Sequence, residues 1–520
     1  MRHLLQTKES KQLEIIEYFL ANPDSLSQDE LCQKFRLSVL TLNKYFQEIQ
    51  KEMPFITILD NNHNYSIVID DAYGLSAVYN YYIQNNVSFN ILFGLFFNPD
   101  YNMKTLSKEL DYSETSLYRA IKAINQVFKS RKLDIHIAPT TAEMTGSEKD
   151  IRAFYANLFF EAYSMFEWPF ELIDKQALTD FSINMSDPIN LSQDFSTIYK
   201  MTLMFAVNLY RTSQGFYAHT EETEFRENIQ DIYIEYHENI ARMWTTISER
   251  PLDDIRIAYD ILFPLFDSRI CYTYFEFSDR AREDELIEKS FFHLQKMIEE
   301  INREMNFMDV QQFYLILNIH NNTCIQFSTP GSMPMFKQST SQTLNVIKTW
   351  VPEFYDVVTR ELSVYLEEVF HIENDYLVEH LTFIYLTYIE SYVDEFFNNL
   401  KKVRVLILND QGVSIGNQMK SELETMFTNQ LEIDTWSLVT KERLMNSNYD
   451  IIITNFSIPK LENTFIIQTP VILLPEQFTR LLEYIELVDQ RRKKEIQLEY
   501  MKLKAEKASF NFEDQFVNPW

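Results

Sequence analysis

The sequence DELCQKFRLSVLTLNKYFQEIQ (29–50) is followed, 75 residues later, by KTLSKELDYSETSLYRAIKAIN (104–125), which has the same pattern. Each copy reads as a short amphipathic helix, a turn and a longer amphipathic helix. This is the order of elements in a helix-turn-helix, whose second helix enters the major groove of DNA. The aligned apolar pairs are Leu31 and Leu106, Phe35 and Leu110, Leu42 and Leu117, Phe46 and Ile121, and Ile49 and Ile124.

The sequence around each copy adds the same two flanking elements. A helix pattern precedes the first copy at residues 10–21, and an alternating stretch around an Asn-rich turn follows it at 55–69, as in a β-hairpin wing. The second copy has a corresponding helix near 89–97 and a short hairpin pattern at 133–146. Two winged helix-turn-helix units in one chain indicate a DNA-binding regulator rather than an enzyme.

Charge is distributed unevenly along the chain. The formal net charge is −29, which is opposite in sign to what phosphate binding requires. Residues 1–150 contain 15 basic and 19 acidic residues, but the stretch 101–135 contains 7 basic and 4 acidic residues. The excess of acid therefore lies mainly outside the second helix-turn-helix unit, which is suited to DNA.

The composition argues against several classes of protein. Only 7 of the 520 residues are glycine, and no glycine-rich phosphate loop is visible. The scattered Cys32, Cys271 and Cys324 do not form a disulfide framework or a Cys-x-x-Cys metal site, and they fit a reducing cytoplasm. The sequence has no apolar signal segment at its start and no apolar run of about 18 residues. We therefore expect a cytoplasmic protein without a membrane segment, metal or cofactor.

The rest of the chain divides into a long helical part and a shorter α/β part. From residue 148 to about 400, apolar residues recur at intervals of three and four, which predicts helical bundles. VRVLIL (403–408), LEIDTWSL (431–438), YDIIITNF (449–456) and TPVILL (469–474) predict four strands of a parallel sheet that alternate with helices. The predicted domains are two winged helix-turn-helix domains at 1–72 and 73–147, two helical domains at 148–278 and 279–400, an α/β domain at 401–490, and a charged helix or tail at 491–520.

This order resembles the Mga/AtxA family of Gram-positive virulence regulators. The most specific segment, EMTGSEKDIRAFYANLFFEAYSMFEWPF (143–170), contains Gly146, Arg152 and a Trp-Pro-Phe triplet; segments 198–215 and 401–419 are also similar. The resemblance implies a mainly α, multidomain fold with two N-terminal winged helix-turn-helix domains and two helical phosphotransferase-system regulation domains (PRDs). It also implies a C-terminal α/β domain with a parallel sheet, similar to the sugar-transporter subunit EIIB. An activator that forms a homodimer or higher homo-oligomer is implied as well.

Contacts to double-stranded DNA are expected from early positions of each second helix and from basic residues near its end. Arg119 and Lys122 are three residues apart and so share a helix face. The second helix-turn-helix unit contains more basic residues, and we predict that it makes the main contacts with DNA. Its candidate residues are Ser113, Thr115, Ser116, Tyr118, Arg119, Lys122, Lys129, Arg131 and Lys132. The candidates in the first unit are Arg36, Ser38, Thr41, Asn43, Lys44 and Lys51.

The resemblance also implies regulatory histidines, because PRDs are phosphorylated on histidine by the phosphotransferase proteins HPr or an EIIB. His380, in EHLTFIY, has typical PRD surroundings, and His219 is the next candidate. The corresponding place in the first helical domain has Tyr199 and Lys200 and no histidine. An active EIIB has a phosphorylated cysteine after its first strand. The loop NDQGVSIG (409–416) has none, so this domain is not expected to pass phosphate.

Other readings remain open at this point. An RNA antiterminator with PRDs would begin with a small β-rich RNA-binding domain, and a phosphotransferase-system enzyme would need the missing cysteine. A scaffold would use its N-terminal units to bind protein. The grouping of His320, Asn321, Asn322 and Cys324 offers a cysteine nucleophile, but it lies in an apolar run that reads as a helix.

Overall fold

The chain is mainly helical and contains small β-sheets. The computed structural model describes residues 2–22, 25–186, 195–218, 227–249, 252, 255–263, 269–305, 312–328, 335–336, 344–345, 347–349, 351–387, 402–427, 430–470 and 473–514. The chain divides into two compact units. The first comprises Met1–Leu294 with Ile316–Ser339, and the second comprises Gln295–Leu315 with Thr340–Trp520.

The first helix-turn-helix unit has the three helices and the hairpin that the sequence predicts, together with a short strand, β1, that was not predicted. They are α1 (Thr7–Ala21), β1 (Leu26–Ser27), α2 (Gln28–Phe35), α3 (Val39–Glu52), β2 (Ile56–Asn61) and β3 (Asn64–Ile69). Strands β2 and β3 form an antiparallel hairpin, and the short β1 pairs with β3. The core includes Phe19, Leu31, Leu42, Phe46 and Tyr65. The apolar positions of the first repeat are therefore the ones that pack together.

The second helix-turn-helix unit follows directly. Its elements are α4 (Leu75–Asn85), α5 (Val87–Phe97), α6 (Met103–Leu110), α7 (Glu114–Ser130), β4 (Ile135–Ile137) and β5 (Met144–Gly146). The sequence interpretation missed α4, half of whose buried side is tyrosine (Tyr79 and Tyr82), which obscured the apolar period. Gly146 has φ +134°, and a Cβ there would lie 2.0 Å from the carbonyl oxygen of Asp134. Only glycine allows this approach of β5 to the chain before β4.

The two helix-turn-helix turns share one backbone conformation. Arg36 and Asp111, which align in the repeat, end α2 and α6 in the left-handed region, both with φ 54°. Ser38 and Ser113 then cap α3 and α7. Each side-chain oxygen accepts a hydrogen bond at 3.2 Å from the backbone N–H three residues later. The two second helices therefore start from equivalent turns.

A side-chain amide joins the second helix to the wing in both units. The Oε1 atom of Gln50 accepts a hydrogen bond from the N–H of Ile58 in β2 at 2.6 Å. Asn125 pairs with both backbone groups of Ile137 in β4: its Nδ2 donates to the carbonyl oxygen at 2.6 Å, and its Oδ1 accepts from the N–H at 2.8 Å. Because positions 50 and 125 align in the repeat, the same device fixes each wing to its helix.

Ten described helices follow between residues 148 and 387. They are α8 (Glu148–Ala162), α9 (Lys175–Ser186), α10 (Phe195–Ser213), α11 (Glu227–Ile247), α12 (Ile255–Leu262), α13 (Tyr274–Arg280), α14 (Glu285–Met305), α15 (Gln312–Ser328), α16 (Pro352–Phe370) and α17 (Asp375–Thr387). Phe96 of α5 packs against Tyr155 and Phe159 of α8, with ring centroids 4.7 and 4.9 Å apart. The second helix-turn-helix unit and α8 therefore share an aromatic core.

Arg152 of α8 is buried, with 2% of its surface exposed. Its guanidinium donates to Glu148 Oε1 (3.0 Å), Asp260 O (2.7 Å), Thr212 Oγ1 (3.1 Å) and Phe216 O (2.7 Å). Arg211 of α10 also donates to the Glu148 carboxylate, at 2.9 and 2.6 Å. Burial lowers the pKa of the Arg152 guanidinium, and the negative charge of Glu148 opposes that effect. The network ties α8 to α10 and to the end of α12.

The C-terminal part of the second compact unit, from residue 402 onward, is an α/β domain. Its elements are β6 (Val403–Leu408), α18 (Val413–Met426), β7 (Leu431–Thr435), α19 (Lys441–Met445), β8 (Ile451–Thr454), β9 (Phe465–Gln468) and α20 (Pro475–Asp514). The strands pair in parallel in the order β7-β6-β8-β9, which confirms the predicted parallel sheet. The fourth strand is predicted at 469–474 but lies at Phe465–Gln468. Of the predicted stretch, residues 469–470 and 473–474 are described and are not in a strand, and the apolar Leu473 enters the core just before α20.

We predict that Arg152→Ala lowers the free energy of unfolding of the part that contains α8 by about 3–5 kcal/mol, because Glu148 would lose one of its two arginine partners and the buried Asp260 would lose the donor to its carbonyl oxygen. Urea unfolding followed by circular dichroism measures the change. Arg282→Ala is the matched control, since that side chain is 78% exposed and its pair with Asp279 is on the surface. Equal shifts for the two variants would contradict the assignment.

Asn125→Ala should release the second wing, because both backbone groups of Ile137 lose their partner. We expect faster hydrogen–deuterium exchange at the Ile137 amide and a loss of about 1–3 kcal/mol of stability. Gln126→Ala, at the exposed neighbouring position, provides the control. An unchanged exchange rate at Ile137 would show that the wing is held by other contacts.

Candidate nucleic-acid interface

Helix α7 has one buried side and one polar, basic side. The buried side contains Leu117, Ile121, Ile124 and Phe128. The predicted contact residues Ser113, Thr115, Ser116, Tyr118, Arg119, Lys122 and Lys129 are all exposed. The sequence prediction therefore selected residues that the structure brings together on the solvent side of a helix. That is the arrangement a recognition helix requires.

Two of these residues contact each other. The ammonium nitrogen of Lys122 lies 4.6 Å from the centroid of the Tyr118 ring, one turn earlier on α7. This cation–π contact holds the charge against the helix instead of leaving it on a fully mobile side chain. Arg119 lies between them in sequence and is exposed. The middle of α7 thus presents two cations and a phenol hydroxyl within a single turn.

The basic residues at the end of α7 have different surroundings. Lys129 and Lys132 are exposed, whereas Arg131 is only partly exposed. Burial lowers the pKa of the Arg131 guanidinium, and the carboxylate of Glu161 in α8 acts in the opposite direction. Of the three predicted phosphate-binding residues, Arg131 is therefore the least available to DNA.

Helix α3 of the first unit has a less basic surface. Arg36, Ser38, Lys44 and Lys51 are exposed, and Lys44 is 70% exposed. The other two candidates, Thr41 and Asn43, are half-buried. The carboxylate of Glu48 lies 4.0 Å from Lys44 and 3.3 Å from Lys8 of α1, and so offsets part of the positive charge.

The sequence interpretation missed several residues at these surfaces. Leu40 and Val39 begin α3 with 83% and 43% of their surfaces exposed, which is unusual for apolar residues. Lys104 and Lys108 of α6 are exposed and add charge beside α7. A signal was present for the wing amides, because positions 50 and 125 are Gln and Asn in the aligned repeat.

The candidate regulatory histidines are described only in part. His380 lies in α17, is half-buried, and stacks on the ring of Tyr376 with centroids 6.2 Å apart. His219 lies outside the described residues. His371, which follows α16, adopts φ 57° and serves as the helix C-cap.

His320 and Cys324, considered above as a catalytic pair, lie in the protein interior. Both are fully buried, and the His320 ring stacks on Phe277 with centroids 4.2 Å apart. Its Nδ1 lies 2.7 Å from the Ser290 hydroxyl, and its Nε2 lies 2.8 Å from the carbonyl oxygen of Arg269. These contacts are those of a hydrogen-bonded core histidine.

Within the described ranges, no group of three or more His, Cys, Asp or Glu side chains is arranged to hold a metal ion. Among the same residues, no helix combines the length and the apolar character needed to cross a membrane.

Comparison with known protein families gives two matches. A model described as the Mga helix-turn-helix domain matches residues 72–159, which include α4 to α7, both strands of the second wing and most of α8. A model described as the M protein trans-acting positive regulator (Mga) PRD domain matches residues 174–392, which include α9 to α17. The second helix-turn-helix unit and the helical part that follows it are therefore each similar to a domain of the same type of regulator.

Three similar proteins also have names of regulators. A trans-acting regulator of Streptococcus pneumoniae is 25% identical over 467 residues, which cover 89% of this chain and 94% of the relative. The anthrax toxin expression trans-acting positive regulator of Bacillus anthracis is 26% identical over 188 residues, or 36% and 39% of the two chains. The capsule synthesis positive regulator AcpB of the same organism is 22% identical over 417 residues, or 78% and 83%. The chain belongs to the Mga/AtxA family of PRD-containing regulators.

Proposed function

We propose that this protein is a positive regulator of transcription that binds double-stranded DNA through α7 and α3. The observation that carries the proposal is the repeated geometry of the two units: each second helix follows the same left-handed turn, has a serine cap and is fixed to its wing by an amide. The names of the similar proteins, two of which are called positive regulators, support the same proposal.

Helix α7 is the proposed main reader. Arg119 and Lys122 can donate to acceptors on base edges or phosphates, and the exposed Lys129 and Lys132 suit phosphates. The backbone N–H groups at the start of α7 add a partial positive charge that also favours an anion. Affinity should therefore depend steeply on salt, because each phosphate contact releases bound counterions.

Helix α3 contributes a different chemistry. The exposed Leu40 and Val39 at its first turn can contact thymine methyl groups, which protrude into the major groove. Lys44 and Lys51 are the cations of this helix that suit phosphates. We propose that the first unit adds apolar readout and that the second unit adds most of the electrostatic attraction.

Control by the phosphotransferase system is the second part of the proposal. The match to the PRD model supports it, and His380 is the proposed site at which HPr or an EIIB places a phosphate. A phosphoryl group on His380 would add negative charge beside Glu379, which favours a rearrangement of α17. The loop 409–416 after β6 has no cysteine, so we assign the α/β domain to assembly of homodimers or larger homo-oligomers.

Arg119→Ala and Lys122→Ala should each weaken DNA binding by about tenfold and reduce the dependence of log affinity on log salt by about one counterion. A salt-series gel shift with long duplex DNA measures both quantities. Arg282→Ala, in the turn after α13, and Lys296→Ala, on α14, are matched controls, since these side chains are 78% and 76% exposed and lie outside the interface. If all four variants behave like the wild type, α7 is not the DNA-reading helix.

Phosphorylated HPr should transfer its phosphate to His380. We expect label on the intact chain and its loss in His380→Ala, measured with radiolabelled phosphoenolpyruvate and phosphopeptide mapping. His371→Asn is the control, because Asn tolerates the left-handed conformation of that position. Label retained in His380→Ala would move the site to another histidine, with His219 tested next.

A further inference from the structure

Met335 and Phe336, which lie between α15 and α16, pack against α4 and α5 of the second helix-turn-helix unit and against α8. Met335 and Phe336 are 5% and 1% exposed. The N–H of Met335 donates to Oε1 of Glu161 at 2.6 Å, and the N–H of Phe336 donates to Oε2 at 2.7 Å. Glu161, near the end of α8, is itself 2% exposed. Both oxygens of a buried carboxylate therefore receive charge-assisted hydrogen bonds from consecutive backbone groups.

The Phe336 ring contacts two helices of the second helix-turn-helix unit. It stacks on Tyr79 of α4, with centroids 5.9 Å apart and planes 17° apart. It also meets Phe89 of α5 edge-on, with centroids 5.8 Å apart and planes at 65°. Both partner rings are buried, at 7% and 0% exposure. The ring thus contributes apolar contact to both helices.

Tyr79 also contacts the first helix-turn-helix unit. Its hydroxyl donates to Oε1 of Glu17 in α1 at 2.8 Å, and the Glu17 carboxylate also forms an ion pair with Arg2. Burial raises the pKa of the Tyr79 hydroxyl, and the negative charge of Glu17 adds to that effect. The hydroxyl is therefore a stable donor at neutral pH. Phe336 consequently touches one of the residues that connect α4 to the first helix-turn-helix unit; Tyr81, whose hydroxyl donates to Glu52 at 3.2 Å, is another.

Helix α4 is also attached to α8 independently of this segment. Asn80 donates to the carbonyl oxygen of Glu161, and Gln84 donates to that of Ala162, both at 2.7 Å. These bonds remain if the segment leaves. What would be lost is the ring between α4 and α5 and the two donors to the Glu161 carboxylate. The helices would stay folded, but one of the contacts that fix the position of α4 would be lost.

We propose that Glu161, Tyr79 and Phe89 form a binding site whose ligand is the Met335–Phe336 segment of the same chain, and that its occupancy fixes the two helix-turn-helix units in one relative orientation. The segment is continuous in the chain with α16 and α17, which carries His380. A rearrangement of those helices that withdraws the segment would remove the contact between Phe336 and Tyr79 of α4. The effect on DNA rests on the proposed function, whereas the site itself does not.

Hydrogen–deuterium exchange of the full chain tests the site without DNA. In Glu161→Gln, which loses the charge and one acceptor oxygen, the amides of Met335 and Phe336 should exchange about tenfold faster or more. In Phe336→Ala, the amides of α4 should also exchange faster. Phe166→Ala is the matched control, since that ring is 93% exposed. Unchanged exchange in α4 would overturn the proposal.

DNA binding tests the consequence. Phe336→Ala should bind a 40-base-pair duplex about tenfold more weakly than the wild type but a 15-base-pair duplex less than about twofold more weakly, because fixed orientation matters only when both units bind together. Equal losses on both duplexes would overturn the orientation role. If the wild type binds neither duplex, the proposed function fails, while the exchange result still decides whether the site exists. Phe336→Leu, which keeps the apolar volume, should be intermediate on the long duplex if the alanine variant is unstable.

Discussion

The burial of charged side chains along α8 is the constraint on which the first compact unit of the chain depends. Asp150, Arg152 and Glu161 are each no more than 4% exposed. A buried ionic group persists only with hydrogen-bonding partners, so each of these residues specifies a neighbour. Asp150 accepts the N–H of Asp134 before the second wing at 2.9 Å, and Arg152 binds groups of α10 and α12. Glu161 binds the segment before α16. One helix therefore fixes a DNA-binding unit and the helical part in a common frame.

The features that sequence reasoning predicted are those set by short-range patterns. Helical periodicity, serine caps and hairpin turns identified both helix-turn-helix units and their wings, because each signal is contained within a few residues. The fourth strand was placed too late, since an apolar run fits a buried strand whether or not its residues pair in the sheet. The partners of Arg152 outside α8, and those of Glu161 before α16, could not be predicted, because they lie 60 to 175 residues away in the chain. The exposed face of α7 was predictable from periodicity, but the partial burial of Arg131 depends on α8.

The acidity of the chain is compatible with DNA binding when charge is considered by location. The stretch that contains α6 and α7 has a net charge of +3, while residues after 150 account for most of the −29. An acidic body repels the duplex from the rest of the surface and leaves the basic helix as the favourable approach. This arrangement lowers non-specific affinity, which benefits a regulator because non-specific sites are far more numerous than targets. The helical N-terminal units also differ from the β-rich start expected of an RNA antiterminator.

The proposed coupling between phosphorylation of α17 and DNA binding by α7 requires an element that differs in free energy between two states. A segment held by its backbone N–H groups and one ring meets that requirement better than a buried ion pair would. Its release leaves α4 joined to α8 by Asn80 and Gln84. An extracted ion pair would instead leave two uncompensated charges, a cost of several kcal/mol that opposes switching. Arg152 fits the permanent role, and Glu161, which accepts hydrogen bonds from backbone groups of a short segment, fits the reversible one.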